Sequence, residues 1–480
     1  MSSSTYDLII VGSGFAGCMT ALNFLETAKR LNKSARVALI EAGKKGERCG
    51  ASRWTGAYLR LDKNLNFDED WIQEMSLVSN GQADLEYCRK LAQEAKTTAE
   101  YVEDHGVNFI RHKEENVLLE FKTDQHFVMP DGGGWAIIKA LMKHIEQYDN
   151  CDVHWETEAR SLLSDSQGRT NGVEVRRSTG LLERLYSQDV MLASGGFEGN
   201  REMLAKYIGP KTHELQLIAP GLKYNRGQGL RMALDAGADV AGSFDGLHSE
   251  LVDTRATKPD AVIWGHNYGI VMNENCERFY DEGKRHLFET FEMVALELWR
   301  DHNNKGYFVT DSTVMNRFRP GWVYESTDQE PVQAQTLSEL AKKLGADPDK
   351  FERTVTEFNA ACNDKEYDLM KLDGKATTGL KVNKTNWANP LDSPPYHAFP
   401  ITTQLTFTYG GIKVNTESQV LATNGAPVPG LWAAGELTGL YYNEYPPATS
   451  VLRSLTFGRL AGTALAKRLN GSNERSSVKL

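Results

Sequence analysis

Gly12, Gly14 and Gly17 stand in G-x-G-x-x-G spacing directly after the apolar run Leu8-Ile-Ile-Val11, and Glu41 closes a second apolar run, Arg36-Val-Ala-Leu-Ile-Glu41. That set can hold a dinucleotide. Gly12 makes the tight turn, Gly14 lets backbone approach a pyrophosphate, and Gly17 lets the next helix pack close to the strand. The helix start then offers free N–H groups and the positive end of its dipole to the phosphates. A carboxylate at Glu41 can accept both hydroxyls of an adenosine ribose. Ser13, Phe15 and Ala16 within the glycine turn, and Ala42 after the acid, belong to the same binding surface.

These residues need a strand–helix–strand unit over roughly 6–45 to position them. Further along, 68–105 reads as helices, with Leu85, Cys88, Leu91, Ala92 and Ala95 at helical spacing. Gly132-Gly-Gly134 precedes an amphipathic helix at about 135–148. Strands follow near 152–156, 172–177 and 188–193, then a helix at 226–236 with Gly237 as its C-cap. After about 242 short strands and loops alternate through 325. A helical pair comes next: Thr336–Leu344 stops at Gly345, and Asp347-Pro348 caps a helix carrying Phe351, Val355 and Phe358 on one face. Residues 363–396 are polar and proline-containing, as a loop is. Strands return over 400–436, and a last helix spans about 450–468. The expected division is therefore 1–242 and 401–470 for one domain made from both chain ends, 243–400 for an inserted domain lying over the bound nucleotide as a lid, and 471–480 for a disordered tail.

The chain has 480 residues, enough for about two to four domains. Its 40% hydrophobic and 25% charged content is that of a soluble globular protein. A net charge of −10 argues against nucleic acid or an anionic membrane as partner. Cysteines 18, 49, 88, 151, 276 and 362 form no CxxC pair, so they predict reduced thiols in the cytoplasm, with no zinc site and no disulfide framework. The N-terminus lacks a basic region and a long apolar run, so neither a signal peptide nor a membrane span is expected. Val478-Lys-Leu480 shares two of three residues with a peroxisomal address but lacks its serine.

Several motifs in a shared order resemble the flavoprotein subunit family of fumarate reductase and succinate dehydrogenase. They are Gly12–Gly17 with Glu41, Gly50-Ala-Ser-Arg-Trp-Thr-Gly56, Leu192-Ala-Ser-Gly-Gly-Phe-Glu-Gly-Asn200, Gly227–Gly237, Glu277-Arg-Phe-Tyr-Asp-Glu282, Thr406-Phe-Thr-Tyr-Gly-Gly411, Gly430–Gly439 and Phe457-Gly-Arg-Leu-Ala-Gly462. Within that family the chain is most similar to the tricarballylate dehydrogenase branch and, more distantly, to ketosteroid dehydrogenases. The resemblance covers roughly 6–468. It implies an α/β fold: a Rossmann-like, glutathione-reductase-type FAD-binding domain built from both chain ends, with an inserted α+β capping domain.

FAD is the implied cofactor. Gly50, Ala51, Ser52, Thr55, Gly56 and Ala57 form a small-residue stretch that could let an isoalloxazine lie against backbone. Gly435 and Glu436 would approach the pyrophosphate and ribitol. The last helix, from Ser450, Val451 and Leu452, would aim its N-terminus at the flavin N1/C2 region, where negative charge gathers on reduction. Ala193, Ser194 and Gly195 would line the adenine side, with Ala159 touching it through backbone. Where this family attaches its flavin covalently, a histidine precedes the small-residue stretch. Glu47, Arg48 and Cys49 stand there instead, so FAD is expected to be non-covalent, and Cys49 is the residue that could reverse this.

In fumarate reductases two histidines and two arginines grip the dicarboxylate. By resemblance His248 takes the first histidine position, and Arg285 takes the proton-delivering arginine with spacing one residue short. Phe407 replaces the second histidine and Tyr445 the second arginine. Tyrosine offers one neutral hydrogen bond where arginine offers a permanent bidentate charge, so fumarate itself should bind poorly. Thr406–Gly411 and Asn443-Glu-Tyr-Pro446 are similar to the tricarballylate-type branch, but Pro447-Ala448 stands where that branch has glycines. The implied activity is hydride transfer between flavin N5 and a carbon–carbon bond beside a carbonyl or carboxylate. Arg285 or Tyr445, assisted by His248, would move the proton, and Tyr409 is a further candidate. Arg453 and Trp54 read as an ion-pairing and a packing residue. Alternatives are an oxygen-consuming oxidase or hydroxylase, and an inert flavin-binding protein. No iron–sulfur or haem motif is present, so electrons come from an external donor or go to an external acceptor.

Overall fold

The computed structural model describes residues 5–111, 127–318, 320–369 and 371–469; the expected tail at 471–480 lies outside them. The first strand, β1 (Thr5–Val11), runs into helix α1 (Phe15–Arg30), and the chain returns as β2 (Val37–Ile40), parallel to β1 with Leu8 opposite Val37. Leu8, Ile9 and Ile10 are fully buried, which is why this strand reads as a continuous apolar run. Each such side chain contributes roughly 1.5–3 kcal/mol by leaving water.

The two chain ends share one eight-stranded sheet, in the order Gln419–Leu421, Pro427–Ala433, Leu182–Leu192, β1, β2, Cys151–His154. Pro427–Ala433 and β1 both pair parallel with Leu182–Leu192. Strands Thr170–Arg176 and Glu158–Ser164 extend it antiparallel. The last helix, Ser450–Arg468, lies against α1 at backbone distance. A Cβ at Gly458 would stand 2.6 Å from the Ala16 carbonyl oxygen, and one at Gly462 would stand 2.7 Å from that of Thr20. The Thr20 hydroxyl also donates to the Gly458 carbonyl at 3.1 Å. Small residues at this four-residue spacing hold the helix so that its first turn faces the turn after β1.

A second sheet of six strands is built on Tyr396–Thr408. It pairs antiparallel with Leu247–Asp253, Gly306–Asp311 and Val332–Ala334, and parallel with Gln216–Leu217; Ile270–Asn273 adds to Gly306–Asp311. His248 stands opposite Phe407, and a bulge between His248 and Ser249 re-aims the strand there. Helices Leu337–Leu344 and Pro348–Ala361 cover this sheet through Leu340, Phe351, Val355 and Phe358. Their boundaries follow the expected caps. Thr336 accepts from the Glu339 amide, Gly345 is left-handed at φ +73°, and Asp347 accepts from the Asp349 and Lys350 amides.

Strands and loops do not alternate all the way to 325. Leu287–Asp301 is a helix, started by the Glu289 carboxylate accepting from the His286 amide at 3.0 Å. Most of its surface is buried, and only a narrow face through Glu289, Met293, Glu297 and Arg300 is not.

Candidate active site

Between the two sheets lies a cavity of about 910 Å³. At one end its wall is the expected turn: Gly12, Ser13, Gly14, Phe15 and Ala16 line it. A Cβ on Gly12, at φ +106°, would meet the Ala193 carbonyl oxygen at 2.2 Å, so only glycine brings β1 so close to the strand beside it. Glu41 and Ala42 lie in the same wall. The Glu41 carboxylate accepts from the Ser13 amide at 3.1 Å, the Ser13 hydroxyl at 2.6 Å and the Gly43 amide at 2.7 Å. Those bonds orient it and leave lone pairs for a ribose.

Gly50, Ala51, Ser52, Thr55 and Gly56 form one side of the cavity, Ala159, Ala193, Ser194 and Gly195 another, and Gly435, Glu436, Ser450 and Val451 a third. Gly17, Ala57 and Leu452 stand behind the wall. Gly17 packs on the Gly12 carbonyl, where a Cβ would stand 1.9 Å away, and Ala57 and Leu452 are fully buried. The residues present fit FAD. The Ser194 and Thr406 hydroxyls, the Trp54 indole N–H and the Arg453 Nε are cavity-wall groups that are buried with no partner among the described residues, and a polar cofactor would supply those partners. Burial, and then the neighbouring Glu198, hold the Glu436 carboxyl well above the usual carboxylate range.

The other end is built from the second sheet and helix Leu287–Asp301. Tyr58, Trp264, Phe288, Phe291, Phe407 and Tyr445 wall it, together with His248 and the acids Glu250, Asp260 and Glu325. His248 is buried between two carboxylates: Nε2 lies 3.3 Å from Glu250, and Nδ1 makes a short hydrogen bond to Glu292. Burial alone would lower the imidazole, but Glu292 and Glu250 outweigh it and raise its pKa to about 9. It is therefore a cation whose two N–H groups are both committed. Tyr409 stands behind the wall and donates to Glu292 at 2.6 Å. The Tyr445 ring packs 4.9 Å from His248, while its hydroxyl accepts from the Thr449 and Ser450 amides at 3.0 Å each, capping the last helix.

Arg285 is not brought into this wall. Its guanidinium turns to Glu444 at 2.9 Å, and its carbonyl accepts from the Asn267 side chain. Glu250, Asp260, Glu292, Phe288 and Phe291 were not among the sequence candidates. Only a helical assignment for 287–301 could have pointed to the last three. Among the described residues, no group of His, Cys, Asp and Glu could hold a metal ion, and no helix is long and apolar enough to cross a membrane.

Fold and cavity together define a flavin-dependent oxidoreductase. A family model described as FAD binding domain matches residues 7–450, and the chain belongs to that family. The protein is 24% identical to vinyl phenol reductase of Lactiplantibacillus plantarum over 96% of this chain and 97% of that one. It is also 24% identical to urocanate reductase of Eggerthella lenta, over 96% of this chain and 74% of the other. Its fold matches the open conformation of a flavocytochrome c3 fumarate reductase with a TM-score of 0.75 at 20% identity, over 97% of this chain and 78% of that one. The protein is an FAD-dependent oxidoreductase acting on CH–CH groups.

Proposed function

We propose that this enzyme reduces the carbon–carbon double bond of an uncharged, planar, largely apolar alkene such as an aryl enone, with residues 243–400 acting as the cap over its substrate. One observation carries the reading. Among the described residues, the cap side of the cavity contributes rings and acids and no lysine or arginine. One imidazolium between two carboxylates leaves that wall net negative. A substrate carboxylate about 5 Å from such a charge is opposed by roughly 3 kcal/mol at an effective dielectric of about 20. Flat aromatic walls instead favour a conjugated body. That most of the chain is similar to a vinyl phenol reductase agrees with this choice and gives no support to a tricarboxylate.

Bound FAD supplies the hydride. The chain's part is to hold it: the glycine turn and Glu41 at the nucleotide end, and the last helix's first turn at the flavin end. Non-covalent attachment is supported by Cys49, whose thiol donates to the Ser13 carbonyl at 3.0 Å, at the glycine turn. Burial pushes that thiol up to about 12, which leaves it unreactive. Six free cysteines suit a reducing, cytoplasmic setting, with an external donor of electrons. Anaerobic mixing of dithionite-reduced enzyme with benzylideneacetone (a neutral aryl enone) tests the reading: bleached flavin should regain its yellow absorbance within seconds. No return of colour with this or any other neutral alkene would overturn it.

A further inference from the structure

Asp260 lies in the turn Lys258-Pro-Asp-Ala261, which follows strand Leu247–Asp253 and reaches over the cavity. Its φ is +57°, a left-handed conformation uncommon outside glycine, and three contacts maintain it. The Asp260 amide donates to the Ile218 carbonyl at 3.1 Å, the Asp253 amide to the Ala261 carbonyl at 3.1 Å, and Val262 bridges to Val252. The carboxyl lines the same cavity as Gly56 and lies near enough to the Gly56 amide for that N–H to favour its charged form, in the small-residue stretch on which the flavin ring would rest. A side chain from the cap thus stands at the junction of the two halves of the cavity.

Other candidates for moving a proton are held by protein partners, although the Arg285 Nε has none among the described residues. Arg285 is paired with Glu444, His248 has both ring nitrogens on carboxylates, and Tyr409 donates to Glu292. The Tyr445 hydroxyl donates to the Ser450 hydroxyl at 3.0 Å. The groups facing Asp260 are Glu250 and His248 from the strand and Lys258 from its own turn, and Glu325 lines the same cavity. Lys258 is exposed and donates to the Glu325 carbonyl at 3.2 Å, so it does not neutralise the acid from within. Burial, and then Glu250, raise the Asp260 carboxyl to about 8, which keeps it protonated at neutral pH.

We propose that Asp260 is the catalytic acid, protonating the alkene carbon next to the one that receives hydride. The assignment rests on the ene-reduction reading above. In the step the alkene π bond breaks and two C–H bonds form, one from the hydride that the reduced cofactor supplies and one from the Asp260 O–H. The substrate gains two electrons, the cofactor loses two, and Asp260 is left as a carboxylate beside Glu250, basic enough to regain a proton from water.

Asp260→Asn, Asp260→Glu and wild type, each loaded with FAD, are reduced with dithionite and mixed anaerobically with benzylideneacetone. Asp260→Asn should reoxidise at least about 100-fold more slowly, with dithionite reduction and flavin absorbance unchanged, and Asp260→Glu should recover part of the loss. The wild-type rate should fall about tenfold per pH unit above about pH 8, a limb absent from Asp260→Asn. An infrared difference spectrum between about pH 6 and about pH 10 gives a second readout independent of turnover. Wild type should lose the carbonyl stretch of one protonated carboxyl that Asp260→Asn never shows. If wild type is not reoxidised by any neutral alkene, the reading and the assignment both fall. If wild type is reoxidised and Asp260→Asn stays within about threefold of it, or shows the same infrared band, the assignment alone falls.

Discussion

Backbone makes most of the cofactor end of the cavity, through Gly12, Gly14, Gly50, Gly56 and Gly195, whereas at the substrate end Trp264, Phe288, Phe291 and Phe407 cover the backbone with rings. The first end recognises a ligand by closeness and by amide donors. Its tolerances are those of hard contacts, such as the 2.2 Å that a Cβ on Gly12 would leave. The second recognises by side-chain shape and charge, held in place by buried polar groups behind the rings. One end can be shared across enzymes with different substrates, and the other can be repainted by exchanging side chains.

If that contrast is right, substitutions at the two ends should fail differently. Gly17→Ala should have the largest effect, because its Cβ would stand 1.9 Å from the Gly12 carbonyl oxygen and must push α1 away from β1. Overpacking of this kind costs about 3 kcal/mol or more at a backbone contact. The purified variant should be colourless or insoluble, read from flavin absorbance per protein; full flavin content would break the comparison.

His248→Gln comes next and belongs to the other end. Removing the cation leaves the buried Glu292 and the partly buried Glu250 without it, a loss on the order of 3 kcal/mol in unfolding free energy. The surviving folded protein should keep its flavin. The wild type should also show a pH signature. A histidine raised to about 9 when folded, against about 6.5 unfolded, contributes stability that is complete below about pH 6.5 and lost as pH rises through about 9. Denaturant midpoints across that range should decline in wild type and show no such decline in His248→Gln.

Tyr445→Phe is the smallest and sharpens the boundary between the ends, since Tyr445 touches both. Its hydroxyl caps the amides of Thr449 and Ser450, so losing it should cost about 1 kcal/mol and lower Tm by a few degrees. Reoxidation by benzylideneacetone should stay within about tenfold, because the ring remains in the wall. A larger loss would return Tyr445 to the chemistry itself.

The same contrast explains what could be read from the sequence. Gly12–Gly17 and Glu41 were legible because backbone contacts impose residue types at fixed short spacings. The Thr336 and Asp347 caps were legible for the same local reason. The substrate end depends on pairs far apart in the chain. Arg285 looked like a cavity residue because its local surroundings resembled an active-site segment, yet its partner Glu444 is 159 residues away. Glu292 was hidden in a helix whose N-cap is histidine rather than serine, threonine or aspartate, and it is a carboxylate on the buried face, where the pattern expects an apolar residue. Asp260 had no motif around it. Only the fold puts it beside Gly56.

The central claim is that an uncharged alkene, and not a carboxylate, enters the ring-walled end of an FAD enzyme. Stopped-flow reoxidation of the reduced protein by benzylideneacetone, alone and with excess fumarate or cinnamate, tests it most directly. The account predicts rapid return of flavin absorbance with the enone, no return with either carboxylate alone, and no slowing when they are added together. Reoxidation driven faster by fumarate or cinnamate, or strong competition by either, would contradict it.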